Sequence, residues 1–257
     1  MSSNDKLNGV AGPIIDGAAT EVKAEQPKLR NVMLAAPSYD GSVSAWHVSS
    51  LVETAKIGLA NGINIVPIYM SYDALVQRAR NDIFQLAYES KVDDLVFIDC
   101  DQDWDPSFLF RLLGHDVPIV GAPVVKKSDM EAYNVKSLKP LVPLENGLCE
   151  VDSVGTGFLR IRSDAIRRLW EVSLAYKEPH KEVAGRMVFD VKIVDGELWS
   201  EDVVFCQKWK NLGGKIFIDP SINPGHSGFK RWAGNFTEWY NGLGATPAPE
   251  PEQAAQL

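Results

Sequence analysis

Between residues 31 and 125 the chain repeats one pattern: a short apolar run, a stretch with helical spacing, then another apolar run. "NVMLAAP" (31–37) has the character of a strand that ends at a proline. Residues 42–60 follow, with Ala45, Val48, Leu51, Val52, Ala55 and Leu59 on one helical face and a stop at Asn61-Gly62. "INIVPIYM" (63–70) is a second strand, and its internal Pro67 points to an edge position or a bulge, because proline has no N–H for a ladder. Residues 73–90 form a second helix with Leu75, Val76, Ala79, Ile83 and Leu86 facing inward, and "DLVFID" (94–99) and "VPIVGAPVV" (117–125) are further strands. Few folds satisfy this rhythm. Parallel strands need long crossovers, and helices that supply the crossovers also cover the sheet faces. The expectation is an α/β chain with a single Rossmann-like, mostly parallel sheet flanked by helices.

The second half is less regular. "GFLRIR" (157–162) reads as a strand, with a short helix capped by Ser163 or Asp164 and running through Trp170. A polar stretch near 175–198 is expected to be an excursion or flexible loop. "SEDVVFCQKWKNLGG" (200–214) is a helix that buries Val203, Val204, Cys206 and Trp209, and "KIFIDP" (215–220) is a last strand. Residues 1–28 lack periodicity and are expected to be a flexible arm; residues 243–257, rich in Pro and Glu, a disordered tail. The folded unit is therefore 29–242.

Composition narrows the class. A net charge of -8 gives no general attraction to phosphate backbones or anionic membranes. No apolar run approaches the roughly 20 residues that span a bilayer, and the first 30 residues carry no secretory pattern, so a cytoplasmic location is expected. Cys100, Cys149 and Cys206 are odd in number and in no C-x-x-C spacing, which fits reduced thiols rather than a zinc site.

The apolar run 95–98 leads straight into Asp99, Asp101, Asp103 and Asp105. An EF-hand starting at Asp99 fails, since its sixth and twelfth positions hold Trp104 and Phe110 in place of Gly and Glu. Asp105 before Pro106 has the form of a helix N-cap followed by proline at the first helical position. Asp99 and Asp101 lie where ligands bind in parallel α/β sheets, at the carboxyl end of a strand. Two carboxylates one residue apart at such an end can meet one hard cation, Mn or Mg, which takes substrate phosphates as its other ligands.

"VFIDCD" after a β-α-β start resembles the strand-end D-x-D of the GT-A nucleotide-sugar glycosyltransferases, of the inverting, family-2-like kind. Other segments follow in that family's order across about 30–235. The resemblance implies a metal site of Asp99, Asp101 and His226, the last from "NPGHSG". It implies a nucleotide-sugar site of Pro37, Tyr39 and Asp40 in "AAPSYDG", Arg78 and Arg80 in "LVQRARND", and Asp99. It implies an acceptor and sugar site of Gly155, Thr156 and Gly157 in "VDSVGTGFLRIR", with Trp199 and Glu201 in "WSEDVVFCQKW", and Asp202 as catalytic base. The activity implied is metal-dependent transfer of a sugar, UDP-sugars favoured, to an acceptor hydroxyl with inversion. Compact chains of this pattern also resemble bacteriophage glycosyltransferases, so the acceptor is a saccharide or a hydroxymethylated pyrimidine in DNA.

Several alternatives stay open. Asp101 and Asp103 are a second possible working pair. Lys126, Lys127, Lys136 and Lys139 form a basic segment, either a phosphate track or a solvated loop. Trp199, Trp232, Phe236 and Trp239 offer faces for sugars or bases, or a lid or dimer patch. A nucleotidyltransferase would share sheet and metal but wants a Gly- and Arg-rich loop that "APSYDGS" lacks. A non-catalytic nucleotide-sugar-binding module would keep the pocket with Asp202 as a helix cap only.

Overall fold

A computed structural model describes residues 29–179 and 182–243; the expected arm at 1–28 and the tail beyond 243 lie outside the described residues. In chain order the strands are β1 (Arg30–Ser38), β2 (Ile63–Ser71), β3 (Asp94–Ile98), β4 (Gln102–Asp103), β5 (Ile119–Gly121), β6 (Val135–Lys136), β7 (Cys149–Val151) and β8 (Ser153–Val154). They continue as β9 (Phe158–Arg162), β10 (Ala175–Tyr176), β11 (Gly185–Arg186), β12 (Lys192–Val194), β13 (Glu197–Trp199), β14 (Ile216–Ile218), β15 (Gly225–Ser227) and β16 (Arg231–Trp232). The helices are α1 (Ala45–Ala60), α2 (Val76–Glu89), α3 (Pro106–Gly114), α4 (Ser163–Val172), α5 (Glu201–Asn211) and α6 (Phe236–Leu243).

Seven strands make the central sheet in the order β2-β1-β3-β9-β5-β14-β7. β1, β2, β3, β5 and β14 run one way, and β9 and β7 run against them. The chain is thus α/β with a mostly parallel sheet, as its rhythm predicts, and Pro67 sits on the edge strand β2. β3 is buried along its whole length, because its side chains alternate between two cores. Leu95 and Phe97 face one core with α2, α4 and α5; Val96 and Ile98 face the other with Leu109, Leu112 and Leu113 of α3. No described helix is long and apolar enough to cross a membrane. The three cysteines are free, and burial pushes the Cys206 thiol up to about 12.

Two helix faces differ from expectation. On α1 the buried residues are His47, Ser50, Thr54 and Gly58, while Ala45, Val48, Val52 and Leu59 are exposed. The cause is hydrogen bonding: the backbone this helix packs on is an irregular acidic turn with groups to satisfy, and a polar stripe satisfies them. On α2, Ala79 and Ile83 are buried as expected, but Leu75, Val76 and Leu86 are exposed, and Arg80, Asn81 and Phe84 take the inner positions.

The stretch expected to be a flexible excursion is pinned at Val188 and Phe189, both fully buried. Asn81 Oδ1 accepts from their two backbone N–H groups at 2.9 and 2.8 Å, and its Nδ2 donates to the Phe189 carbonyl at 2.9 Å. Phe189 also stacks on Phe205 with centroids 4.7 Å apart. Trp232 and Phe236 are buried in the core, while the half-buried Trp239 packs on Tyr133 and lines a separate cavity with Phe236 and Tyr240.

Candidate active site

β3 ends at Ile98, and the chain turns through Asp99, Cys100 and Asp101 into β4. The turn is fixed from three sides. Asp99 N–H donates to the Gly157 carbonyl at 3.0 Å, continuing the β3–β9 ladder one residue beyond its last pair. His47 Nδ1 donates to the Asp99 carbonyl at 3.1 Å, and its Nε2 accepts from the Tyr69 hydroxyl at 2.8 Å. Burial lowers the His47 pKa, so a neutral ring with the proton on Nδ1 fits both bonds. The same helix holds Trp104: its N–H donates to Ser50 Oγ, and its indole N–H donates to Thr54 Oγ1, both at 3.0 Å.

β4 pairs with β15, placing His226 opposite Gln102, and Ser227 N–H donates to the Asp101 carbonyl at 2.7 Å. The turn and the histidine are therefore one unit. His226 Nδ1 donates to the Val125 carbonyl at 2.8 Å. A carbonyl only accepts, so Nδ1 carries a hydrogen and the bond turns Nε2 towards the acidic turn. That Nε2 stands 3.5 Å from Asp101 Oδ1, a buried carboxylate oxygen with no hydrogen-bond partner. On the other oxygen, Lys127 Nζ lies 2.5 Å from Oδ2. Burial works to raise the Asp101 pKa, but His226 and Lys127 outweigh it and hold the group at about 2.

Asp103 and Asp105 are committed elsewhere. Asp103 takes an ion pair from Arg231 at 2.7 Å. Asp105 caps α3 by accepting from Ser107 N–H at 2.8 Å, and this capping holds its carboxyl below the usual range.

Across a cavity of about 210 Å³ from this turn lies the N-terminus of α5. The cavity is lined by Arg80, Asp99, Glu201, Asp202 and His226, with Gly155, Thr156 and Gly157 among its further walls. These five segments, distant in sequence, thus converge there. Arg80, 8% exposed at its side chain, forms an ion pair with Glu201 on one side and approaches Asp99 Oδ1 at 3.4 Å on the other. It links the two halves of the site. Ser200 Oγ and the Val203 N–H both donate to Asp202 Oδ1, which fixes that carboxylate, and Asp202 makes no ion pair among the described residues.

The remaining expected residues are placed as follows. Pro37, Tyr39 and Asp40 flank the acidic turn, since Ser44 in the same loop donates its N–H to the Cys100 carbonyl at 2.9 Å. Tyr39 is 75% exposed, and Asp40 accepts from Ser42 N–H and Oγ, which keeps its carboxyl low. Arg78 is not at the cavity: it pairs with Asp73 at 2.8 Å at the start of α2. Trp199 lines a separate cavity with Lys208 and Val204. Gly155 and Gly157 do leave room for a close approach, but to side chains of this chain: a Cβ on Gly155 would collide with Asn134, and one on Gly157 with Gln102.

His47, Gln102 and Asn134 escape the sequence reading. The available signal is the spacing of His47, Ser50, Thr54 and Gly58 along one helical stripe.

No group of three His, Cys, Asp or Glu side chains among the described residues is close enough to form a ready metal cage. The donor chemistry nevertheless fits a hard cation. A buried carboxylate oxygen that accepts no hydrogen bond and the imidazole Nε2 stand 3.5 Å apart, and the imidazole is oriented through its other nitrogen by a backbone carbonyl.

No protein-family model matches the chain. The ribosome biogenesis protein YTM1 of Kluyveromyces lactis is 30% identical over 165 residues, 60% of this chain and 36% of that protein. The chain thus spans little more than a third of that relative's length. Among solved structures, A197 from STIV is 22% identical with a TM-score of 0.51, over 80% of this chain and 89% of its own. Looser likenesses are a Drosophila galactosyltransferase 7 mutant in complex with manganese, UDP-Gal and xylobiose (14% identical, TM-score 0.43, 74% of this chain and 65% of that) and the inositol-1-phosphate CTP transferase of T. maritima (12% identical, TM-score 0.39, 76% and 86%). At these identities the likeness to A197 is one of fold alone.

Proposed function

We propose that the chain is a metal-dependent glycosyltransferase of the GT-A kind, with residues 29–242 as its catalytic domain. The observation that carries the proposal is the polar cavity that Asp99 and His226 share with Glu201 and Asp202 at the α5 N-terminus, with Asp101 beside His226. Asp99 and His226 on one wall, with Asp101 beside His226, and Glu201 and Asp202 on the opposite wall suit a diphosphate donor and a hydroxyl acceptor. Asp101, His226 and Asp99 would hold the Mn or Mg ion. Such an ion, when bound, supplies positive charge against a departing diphosphate.

Asp202 takes the proton from the acceptor hydroxyl as that oxygen attacks the anomeric carbon. The bond from that carbon to the diphosphate oxygen breaks in the same displacement, so the centre inverts. Glu201, held by Arg80, positions the acceptor, and the exposed Tyr39 stacks on the nucleotide base. UDP-sugars are the favoured donors, and the acceptor is a saccharide or a hydroxymethylated pyrimidine. Arg80 acts inside the protein as a link between walls, not as a solvent-facing phosphate ligand.

The test is a thermal-shift panel of UDP, GDP, CMP and dTDP, each with and without manganese, on the wild type and Asp101→Ala. A metal-dependent rise with one nucleotide, lost in the variant, is expected, because a ligand that binds only the native state stabilises it by an amount that grows with the logarithm of its affinity. No shift in any condition would remove the donor site.

A further inference from the structure

The basic segment that follows β5 has no part in the mechanism above, yet one of its lysines reaches a carboxylate of the proposed metal site. Lys127 Nζ lies 2.5 Å from Asp101 Oδ2, while His226 stands on the same carboxylate's other oxygen. Its position is built by the fold. The Lys126 N–H donates to the Ala132 carbonyl at 2.7 Å and closes the loop; the Trp232 indole N–H donates to the Ser128 carbonyl at 3.1 Å and ties the loop to β16. The Lys127 stem passes over Gly228, where a Cβ would already stand 3.6 Å from both Cδ and Nζ. A positive charge thus occupies one oxygen of the carboxylate whose other oxygen is buried and unpartnered.

We propose that Lys127 is a resident counter-cation of this site, which gives up Asp101 when a divalent cation binds and then contacts the diphosphate of the donor. This rests on the metal and donor reading above and adds a residue to it. The chemistry favours an exchange. An ammonium group and a divalent cation compete for the same carboxylate, and a lysine on a flexible four-carbon stem, once displaced, has phosphate oxygens within the same pocket to meet. The two cations therefore act in opposite senses before and after the donor arrives: Lys127 opposes uptake of the free metal ion and assists retention of the diphosphate.

Calorimetric titration of manganese alone into the full chain, then of inorganic pyrophosphate into the manganese-loaded protein, separates these effects. Lys127→Met should bind manganese about two- to fivefold more tightly than the wild type, the worth of a partly exposed ion pair. It should bind pyrophosphate several-fold more weakly, and Lys127→Arg should restore wild-type behaviour in both. Unchanged or weaker manganese binding in Lys127→Met, with a normal melting temperature, overturns the proposal while leaving the metal site standing. If neither the wild type nor Lys127→Met takes up manganese, and Asp101→Asn behaves the same, the metal reading itself falls and the proposal with it.

Discussion

His47 donates from Nδ1 to the carbonyl oxygen of Asp99 at 3.1 Å, so a fully buried residue of the first helix holds the backbone of the acidic turn. Replacing it by Phe leaves the Asp99 carbonyl and the Tyr69 hydroxyl without their partner. The expected cost is about 1–3 kcal/mol for groups left unsatisfied in the interior, read by urea denaturation. Manganese affinity should fall as well, because the turn that presents Asp99 and Asp101 loses a fixed point. A variant with full stability and unchanged metal affinity would show that the ladder to Gly157 is enough.

Arg80 and Arg78, two residues apart on α2, should respond oppositely. Arg80→Met leaves Glu201 and Asp99 without the guanidinium between them, and a broken buried pair costs roughly 3–5 kcal/mol. Arg78→Gln removes a pair whose arginine is half-exposed and should change stability by no more than about 1 kcal/mol. Equal effects in the two variants would contradict the placement of Arg80 in the core of the site.

Asp202→Asn should retain nucleotide and metal binding but lower transfer by about a hundred- to ten-thousand-fold, the usual worth of general-base assistance. The measurement is single-turnover transfer at saturating donor. Unaltered transfer would reduce Asp202 to a helix-terminal residue.

Asp219 gives the pH prediction. It is fully buried, and although burial alone would raise its pKa, hydrogen bonds from Ser221, Arg111 and His115 bring it below the ordinary value. Between its folded and unfolded pKa values the unfolded chain binds more protons, so stability rises with pH there and is lost as pH falls through the folded value. Asp219→Asn should lower stability at pH 7 by roughly 2–3 kcal/mol, and denaturation curves repeated from pH 7 towards pH 3 should show a smaller acid loss in the variant than in the wild type.

Gly157→Ala should disturb the site more than the fold, since the added Cβ meets the Gln102 side chain and lies 3.0 Å from Asp99 Oδ2. Loss of metal binding with a melting temperature within a few degrees of wild type is expected.

The alternation of apolar runs with helical spacing determined the α/β class and the mostly parallel sheet, because each strand must be covered and each crossover needs a helix. The position of Asp99 at a strand end, Pro67 at the sheet edge and Asp105 as a cap were likewise local facts, readable from neighbours within a few residues. Tertiary structure decided which side of α1 is inward. Apolar periodicity selects Val48, Val52 and Leu59, but the helix packs on an irregular acidic turn, and only His47, Ser50 and Thr54 can satisfy its backbone and the Trp104 indole. It also decided the fates of like residues. Arg80 lies between two carboxylates and Arg78 does not; Asp101 faces His226 and Lys127, while Asp103 is taken by Arg231. Each of those partners comes from a distant segment, so their pairing follows from the arrangement of the sheet and not from spacing along the chain.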